Sequence, residues 1–241
     1  MKLAQTLTVL LVAASSQLAL AAPVNNTEST GLETRGLEAR KANGVGNSKG
    51  NPQKVQISVN DKGALTFDAD CWAMLCKGQT RVLQRVVTSV KNKNRQEKGS
   101  GANKNPFKPL KQGVKQPPAA NQWSNNQQYT SPEEFPFASS LQGGRGAYLF
   151  PAIGTSQSSQ GASMTNLYRD YSIDAYDPSC GNEDDTWYEI TGFTGDLGPH
   201  CKAFNSNDKS VCSKSSPGDW GFDIADYAYE YDGTNFNYVG K

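Results

Sequence analysis

Five cysteines constrain this chain more than any other feature, and they are Cys71, Cys76, Cys180, Cys201 and Cys212. In an oxidising compartment cysteines pair, so an odd number leaves one thiol over. Cys71 and Cys76 can pair with each other only if the segment between them is not a regular helix, because a helix would place the two side chains on different faces. No close CxxC pair occurs, which argues against a metal site built from cysteines. The sequence therefore predicts disulfides whose pairing stays open.

The first residues, MKLAQTLTVLLVAASSQLALAAP, have the order of a secretory signal peptide. Lys2 gives the basic start, an apolar stretch runs to Leu20, and small residues around Ala21 offer a cleavage site. A membrane anchor is the alternative, but polar residues interrupt the stretch and no later segment is long enough to span a bilayer. Residues 1–21 are therefore predicted to be a signal peptide, and the mature protein to be secreted.

Residues 22–54 contain few large apolar side chains and are predicted to be a disordered segment or a pro-segment. Arg40 and Lys41 form a dibasic step that is either a processing site or part of a charged linker. Asn25-Asn26-Thr27 is an N-glycosylation sequon. The rest of the chain, roughly 190 residues, is long enough for one domain with its own core.

Charge is unevenly distributed although the formal net charge is only +1. Between Lys77 and Lys115 nearly every charged side chain is positive, whereas acids outnumber bases from Asp170 onward. A basic stretch is typical of a surface that binds a polyanion such as nucleic acid. The alternatives are a solubilising loop, or a loop that docks on the acidic end of the same chain.

Hydrophobic patterning predicts an α+β fold. Strands are predicted at 55–59, 147–153 and 187–193, a helix at 157–172, and a hairpin whose Tyr-rich strands flank the turn 232–235. Apolar residues between Val82 and Val90 recur at helical spacing, with a strand as the competing interpretation. Residues 70–76 are predicted to form a turn or short helix, and the basic residues 91–130 an extended loop.

Common catalytic motifs are missing from the sequence. His200 is the one histidine, and no GxSxG, HExxH, phosphate-binding or dinucleotide-binding pattern occurs. His200 is therefore expected to lie on the surface or in a loop.

A more informative stretch is SPEEFPFASSLQGGRGA at 131–147, followed by a strand and then by Gln160-Gly161. It resembles the NucA/NucB family of secreted deoxyribonucleases, in which an Asp-Glu-aromatic-Pro step precedes a Gly-Gly-x-Gly-Ala run and a strand. The upstream DCWAMLCKG and the basic, Asn- and Lys-rich stretch resemble fungal-type members. The similarity covers about residues 70–172.

The resemblance implies a compact ββα-metal-nuclease-like domain, which we predict over 55–176. Residues 177–241 lie beyond the resembling segment and are predicted to be an acidic, Tyr-rich C-terminal extension that packs on the domain and includes the β-hairpin. It implies a metal-dependent deoxyribonuclease that binds DNA through its backbone without reading sequence. The expected cofactor is Mn²⁺ or Mg²⁺. The residues implied are Glu133 as general base, Glu134 as a supporting acid, Gln157 and Asn166 as metal-site amides, and Arg145, Lys91, Lys93 and Arg95 as phosphate contacts.

The chain departs from the family pattern at several positions. The first acid of the step is usually Asp and here is Glu133, while Ser156 and Gln157 stand where an acid and an Asn are common. Pro132 and the YLFP segment replace two cysteines of fungal-type members. The alternative function is therefore a secreted nucleic-acid-binding or effector protein that keeps the fold without catalysis. A third possibility is a structural protein whose acidic tail binds a partner or covers the basic surface.

Overall fold

The computed structural model describes residues 44–96, 98–118 and 122–241, which belong to one compact unit. The expected signal peptide, the Asn-Asn-Thr sequon, the dibasic step and most of the segment 22–54 lie outside the described residues. Within the described ranges no helix combines the length and the apolar character that crossing a bilayer requires.

Seven strands and four α-helices make up the described part of the chain. The strands are β1 (Gln53–Val59), β2 (Val82–Gln84), β3 (Ser131–Phe135), β4 (Tyr148–Ala152), β5 (Trp187–Gly195), β6 (Tyr229–Tyr231) and β7 (Phe236–Tyr238). The helices are α1 (Ala64–Lys77), α2 (Thr88–Asn94), α3 (Gly154–Asp170) and α4 (Pro199–Ser206). Short 3-10 helices lie at Asp61–Gly63, Ala102–Lys104, Lys209–Ser213 and Ile224–Tyr227.

The strands form two separate sheets. In the first, β5 is central and pairs in parallel with β1 and antiparallel with β2. In the second, the order is β3-β4-β6-β7 and every pair is antiparallel. The consecutive β3, β4 and α3 give the ββα arrangement that the resemblance implied, and the α+β class is confirmed. The segment after residue 176 supplies the central strand of the first sheet and the last two strands of the second.

Helix α1 occupies the centre of the molecule. Twelve of its fourteen residues, from Ala64 to Leu75, are buried, and it packs on α3, α4 and strands of the second sheet. Two disulfides, Cys71–Cys201 and Cys76–Cys212, tie this helix to the C-terminal segment. The odd thiol is Cys180, which is exposed. Cys71 and Cys76 do not pair with each other because the segment between them is a regular helix.

Some local predictions were confirmed and others were wrong. The strands near 55–59, 147–153 and 187–193, the long helix and the terminal hairpin are all present. The helical interpretation of 82–90 was wrong for its first part, where the competing strand interpretation is confirmed: Val82–Gln84 form β2 by pairing with β5, and α2 starts only at Thr88. Residues 70–76 belong to a helix of fourteen residues, so their prediction as a short element was also wrong.

Candidate functional site

Strand β3 carries Glu133 and Glu134 side by side, and both are buried, with exposed fractions of 3% and 6%. Successive side chains of a strand point to opposite faces, so the two carboxylates enter different surroundings. Strand β3 is the edge strand of its sheet, and both Glu133 and Glu134 line a cleft beside that edge. The cleft has a volume of about 210 Å³.

Prolines fit this pair of strands because they lie where no backbone donor is needed. Pro132 on β3 stands opposite Pro151 on β4. Strand β4 pairs with β6 only at Tyr148 and Leu149, so Pro151 has no ladder partner on that side either. The loop between the strands turns through Gly144 and Gly146, both at positive φ (95° and 84°), which glycine adopts without strain.

Glu133 lies between side chains of α3 and α1. The Gln157 Nε2 donates a hydrogen bond of 2.6 Å to Glu133 Oε2, and the Gln160 Nε2 donates one of 2.8 Å to Glu133 Oε1. The same Gln160 nitrogen donates to Asp70 Oδ2 at 3.0 Å. One amide therefore bridges two carboxyl groups from different elements.

Burial dominates the acidity of this carboxyl pair. It raises the pKa of Glu133 to about 8, against the opposing hydrogen bond from Gln160, and the Glu134 carboxylate adds to the rise. Burial also raises the pKa of Asp70 well above its usual range, and the nearby Glu133 carboxylate adds to it. Asp70 is fully buried, and its Oδ1 accepts no hydrogen bond from any described residue. The Asp70 and Glu133 carboxyls therefore have too little neighbouring positive charge and too few hydrogen-bond donors for both to ionise at their usual pKa values.

Glu134 has different neighbours on the other face of β3. Its Oε1 accepts a hydrogen bond from the buried Ser100 hydroxyl, and its Oε2 lies 2.9 Å from Arg95 Nε. The second contact is an ion pair whose angle is not that of a straight hydrogen bond. Burial raises the pKa of Glu134, while Ser100, Arg95 and Lys91 oppose the rise.

The mouth of the cleft is basic and its wall is aromatic. Lys91 and Arg95 of the α2 region line it on one side, and one face of α3 from Gln157 to Tyr168 lines it on the other. The Tyr168 hydroxyl lies 3.3 Å from both the Ser139 and the Tyr188 hydroxyls, which makes a short polar chain at the floor. An anionic ligand entering the cleft would meet positive charge before it meets the acids.

The structure brings some of the predicted site residues together and separates others. Glu133, Glu134, Gln157, Lys91 and Arg95 all line the cleft. Asn166 does not: it lines another pocket on the opposite side of α3. The nine positions between Gln157 and Asn166 correspond to two and a half turns, which rotates the second side chain to the far face. The expectation that these two amides share one metal site is therefore corrected.

Two predicted phosphate contacts lie outside the cleft. Arg145 is exposed and donates from Nη2 to the Asp232 carbonyl oxygen at 3.2 Å. Lys93 is exposed on α2, two positions from Lys91 and from Arg95, which line the cleft.

Asp70 and Ser100 are site residues that the sequence reasoning did not identify. The signal for Asp70 was two acids, Asp68 and Asp70, within an otherwise apolar helix, since buried acids need partners. The prediction for His200 was wrong. It is fully buried, its Nδ1 lies 2.8 Å from Asp68 Oδ2, and its backbone N–H donates to Asp68 Oδ1 at 2.7 Å.

The described part of the chain contains no group of three or more His, Cys, Asp or Glu side chains arranged to hold a metal ion. The oxygen donors nearest to such a site are the Asp70 and Glu133 carboxyls, with the amide of Gln157 beside them. Carboxylate and amide oxygens suit hard cations such as Mg²⁺ and Mn²⁺ rather than zinc or copper.

A comparison with protein families finds one match. Residues 70–178, just under half of the chain, match the family model described as Deoxyribonuclease NucA/NucB. The matched segment contains Asp70, both glutamates of β3 and the whole of α3. Searches of curated proteins and of solved structures returned no match.

Proposed function

Since residues 70–178 match the NucA/NucB deoxyribonuclease family model, we propose that the protein is a secreted, metal-dependent endonuclease that hydrolyses DNA without sequence preference. The observation that carries the proposal is a buried carboxyl pair: Glu133 lines a cleft that Lys91 and Arg95 also line, and Gln160 bridges it to Asp70 behind the cleft wall. Secretion rests on the leader-like residues 1–21 and on the two disulfides, which are typical of oxidising compartments.

Glu133 is the proposed general base of the reaction. It faces the cleft from a rigid strand, and two amides fix the orientation of its carboxyl group. Burial brings its pKa to about 8, close to the value at which a base is present in the right form and still accepts a proton well. In this role it takes the proton from the water that attacks the phosphorus atom.

The acids of the cleft fit a divalent cation. Asp70 Oδ1 is a buried carboxyl oxygen without a hydrogen-bond donor, and such an atom calls for an ion or a water. Mg²⁺ is often held by only one or two carboxylates, with water and substrate phosphate completing its shell, so a cage of three acids is not required. Asp70 would hold the cation, with the amide oxygen of Gln157 as a further donor, which leaves Glu133 to accept the proton. When bound, it neutralises charge on the phosphate and lowers the pKa of water.

The basic residues are proposed to hold the DNA backbone. Lys91 and Arg95 contact the phosphate that enters the cleft, while Lys93 and Arg145 contact its neighbours on either side. This mode of binding needs no contact with base edges in the DNA grooves, because contacts with the DNA backbone carry no sequence information. Binding is therefore expected to weaken steeply as salt rises.

The first test is digestion of plasmid and single-stranded DNA by the purified protein with Mn²⁺, with Mg²⁺ and with EDTA. Glu133→Gln is the main variant, because it keeps the volume and removes the base. We expect cleavage only with metal, and a loss of at least about a hundredfold in the variant, the usual scale for a lost general base. Cleavage by Glu133→Gln at the wild-type rate would contradict the assignment. Cleavage in EDTA would contradict metal dependence.

A second candidate function is DNA binding without catalysis. It is favoured by the hydrogen bonds that Gln157 and Gln160 already donate to both oxygens of Glu133, and by the Glu at a position where the family usually has Asp. One additional methylene moves a carboxylate far enough to cost a large factor in rate. Salt-sensitive DNA binding without cleavage under any metal would support this candidate over the nuclease.

A further inference from the structure

Glu134 is fully committed to protein partners, although it lies beside the proposed general base. One oxygen accepts from Ser100, and the other is paired with Arg95 Nε. Each oxygen of this carboxylate therefore already has a protein partner. Its surroundings indicate that it acts through the groups that it holds rather than on the substrate.

The backbone around these two partners is built tightly. Ser100 lies between two glycines: a side chain at Gly99 would place its Cβ 2.0 Å from the Asn94 carbonyl oxygen, and one at Gly101 would lie 2.6 Å from the Tyr231 ring. The Ser100 N–H also donates to the Asn94 carbonyl at 2.8 Å. The loop is therefore folded back so that Ser100 meets Glu134.

Asn94, the last residue of α2, fixes the same region to the cleft wall. Its Nδ2 donates to the Ala138 and Ser140 carbonyls, at 2.9 and 2.8 Å. Arg95 follows directly, and its own carbonyl accepts from the Asn103 N–H at 3.0 Å. The main chain of Arg95 is thus held from both sides, and Glu134 fixes the remaining freedom of its side chain.

The outer edge of the Arg95 guanidinium, formed by its two Nη groups, is not bound by any described residue. Its Nε faces Glu134, whereas neither Nη group donates to any residue in the described ranges, and about a third of the side chain is exposed. Arg95 lines the same cleft as Glu133. A guanidinium that is fixed through Nε presents its two Nη groups as a fork, which matches the geometry of a phosphate.

We propose that Glu134 is a positioning residue that aims the Arg95 guanidinium at the substrate phosphate, with Ser100 holding Glu134 in turn. This inference rests on the proposed function, because it takes a DNA phosphate as the ligand of the cleft. It replaces the expectation that Glu134 is itself a supporting acid. The carboxylate would not contact DNA at all.

For the removal of Glu134, the proposal predicts a change in DNA affinity of the opposite sign to the one expected from net charge alone. Removing an acid close to a polyanion site normally tightens binding, since one repulsive charge is lost. If Glu134 positions Arg95, its removal instead loosens binding, because the arginine no longer points at the phosphate. The sign of the change therefore distinguishes positioning from general electrostatics.

The experiment measures the affinity for a short fluorescent DNA duplex in EDTA at several salt concentrations. The variants are Glu134→Gln, Arg95→Ala and the double variant. We expect Glu134→Gln to bind several-fold more weakly than wild type and to lose roughly 0.9 from the log–log salt slope, the contribution of about one phosphate contact. In the Arg95→Ala background, Glu134→Gln should not weaken binding further, because the group that it positions is gone.

Two further variants serve as controls. Lys93→Ala removes a charge from the same helix without touching Glu134, so its effect should add independently to that of Glu134→Gln. Arg95→Lys keeps the positive charge but removes the guanidinium fork, so it should also weaken binding. Because about a third of the Arg95 side chain is exposed, this variant also serves as the test if Glu134→Gln does not fold.

Each outcome can be interpreted. Tighter binding by Glu134→Gln, or an equal effect with and without Arg95, would overturn the positioning role and leave the nuclease proposal standing. Wild-type affinity in Arg95→Lys would overturn the fork geometry. No binding of DNA by the wild-type protein would overturn the proposed function and this inference together.

Discussion

At the scale of single residues, the two adjacent glutamates of β3 have different neighbours because successive side chains of a strand point to opposite faces. Glu133 turns toward α1 and α3, where amides and a second carboxyl surround it, and Glu134 turns toward the loop after α2, where a serine and an arginine satisfy it. A substitution at either position therefore acts on a different set of neighbours.

The raised pKa of Glu133 gives a pH dependence of stability. An unfolded Glu releases its proton near pH 4.5, whereas the buried one holds it until about pH 8. Between these values the folded state binds more protons than the unfolded state, so the free energy of unfolding falls as pH rises through this window. Denaturant titrations in EDTA at pH 5 and pH 8 should show this fall.

The matched variant for that measurement is Glu133→Gln, which cannot titrate. It should lose less stability than wild type between pH 5 and pH 8, with a remainder from Asp70, whose pKa is raised in the same direction. An equal fall in both proteins would show that Glu133 is not the responsible group. Added Mn²⁺ should reduce the fall in wild type, because a bound cation favours the ionised carboxyls.

At the scale of elements, α3 carries its functional side chains on one face. Gln157→Ala should slow DNA cleavage by roughly tenfold or more, because it removes a charge-assisted hydrogen bond that orients the general base. Asn166→Ala is the control on the same helix and should cleave at the wild-type rate, since Asn166 lies on the opposite face. Rates from single-turnover digestion would separate the two. Equal losses would mean that the helix as a whole, rather than one face, was disturbed.

The sequence was sufficient for elements with strong local patterns and insufficient where tertiary partners decide. The alternating tyrosines of the terminal hairpin and the apolar side of α3 can be recognised from short stretches of sequence. Residues 82–90 do not, because pairing with β5, more than one hundred positions away, overrides their helical spacing. Asp70 was missed for the same reason: its role appears only when α1, β3 and α3 meet around Gln160.

At the scale of the whole molecule, two disulfides join the middle of the chain to its C-terminal segment across 130 and 136 residues. Loops of that size predict a stabilisation of roughly 4–5 kcal/mol per bridge. The double variant Cys71→Ser/Cys201→Ser should therefore unfold at much lower denaturant concentration. Cys180→Ser is the matched control and should unfold at the wild-type midpoint, because its thiol is free and exposed. Equal midpoints for all three proteins would contradict the structural role of the bridge.

Truncation after residue 177 tests whether the acidic C-terminal segment merely covers the basic surface. If it did, the shortened protein would fold and bind DNA more tightly. The structure predicts that it will not fold, because β1 and β2 pair only with β5 and both bridges lose their second cysteine. Circular dichroism and proteolysis of the truncated chain would decide; a folded product with stronger DNA binding would contradict this prediction.

The position of β5 also has a consequence for synthesis. A ribosome makes the segment with the carboxyl pair first, and the strand and cysteines that complete it come last. At roughly 5–20 residues per second, the residues between 178 and 212 emerge several seconds after the nuclease segment itself. Throughout that interval the growing polypeptide lacks the partner of β1 and β2. We therefore expect a nascent chain to be inert toward DNA until β5 and both of these cysteines have been translated, which would protect the cell that produces it.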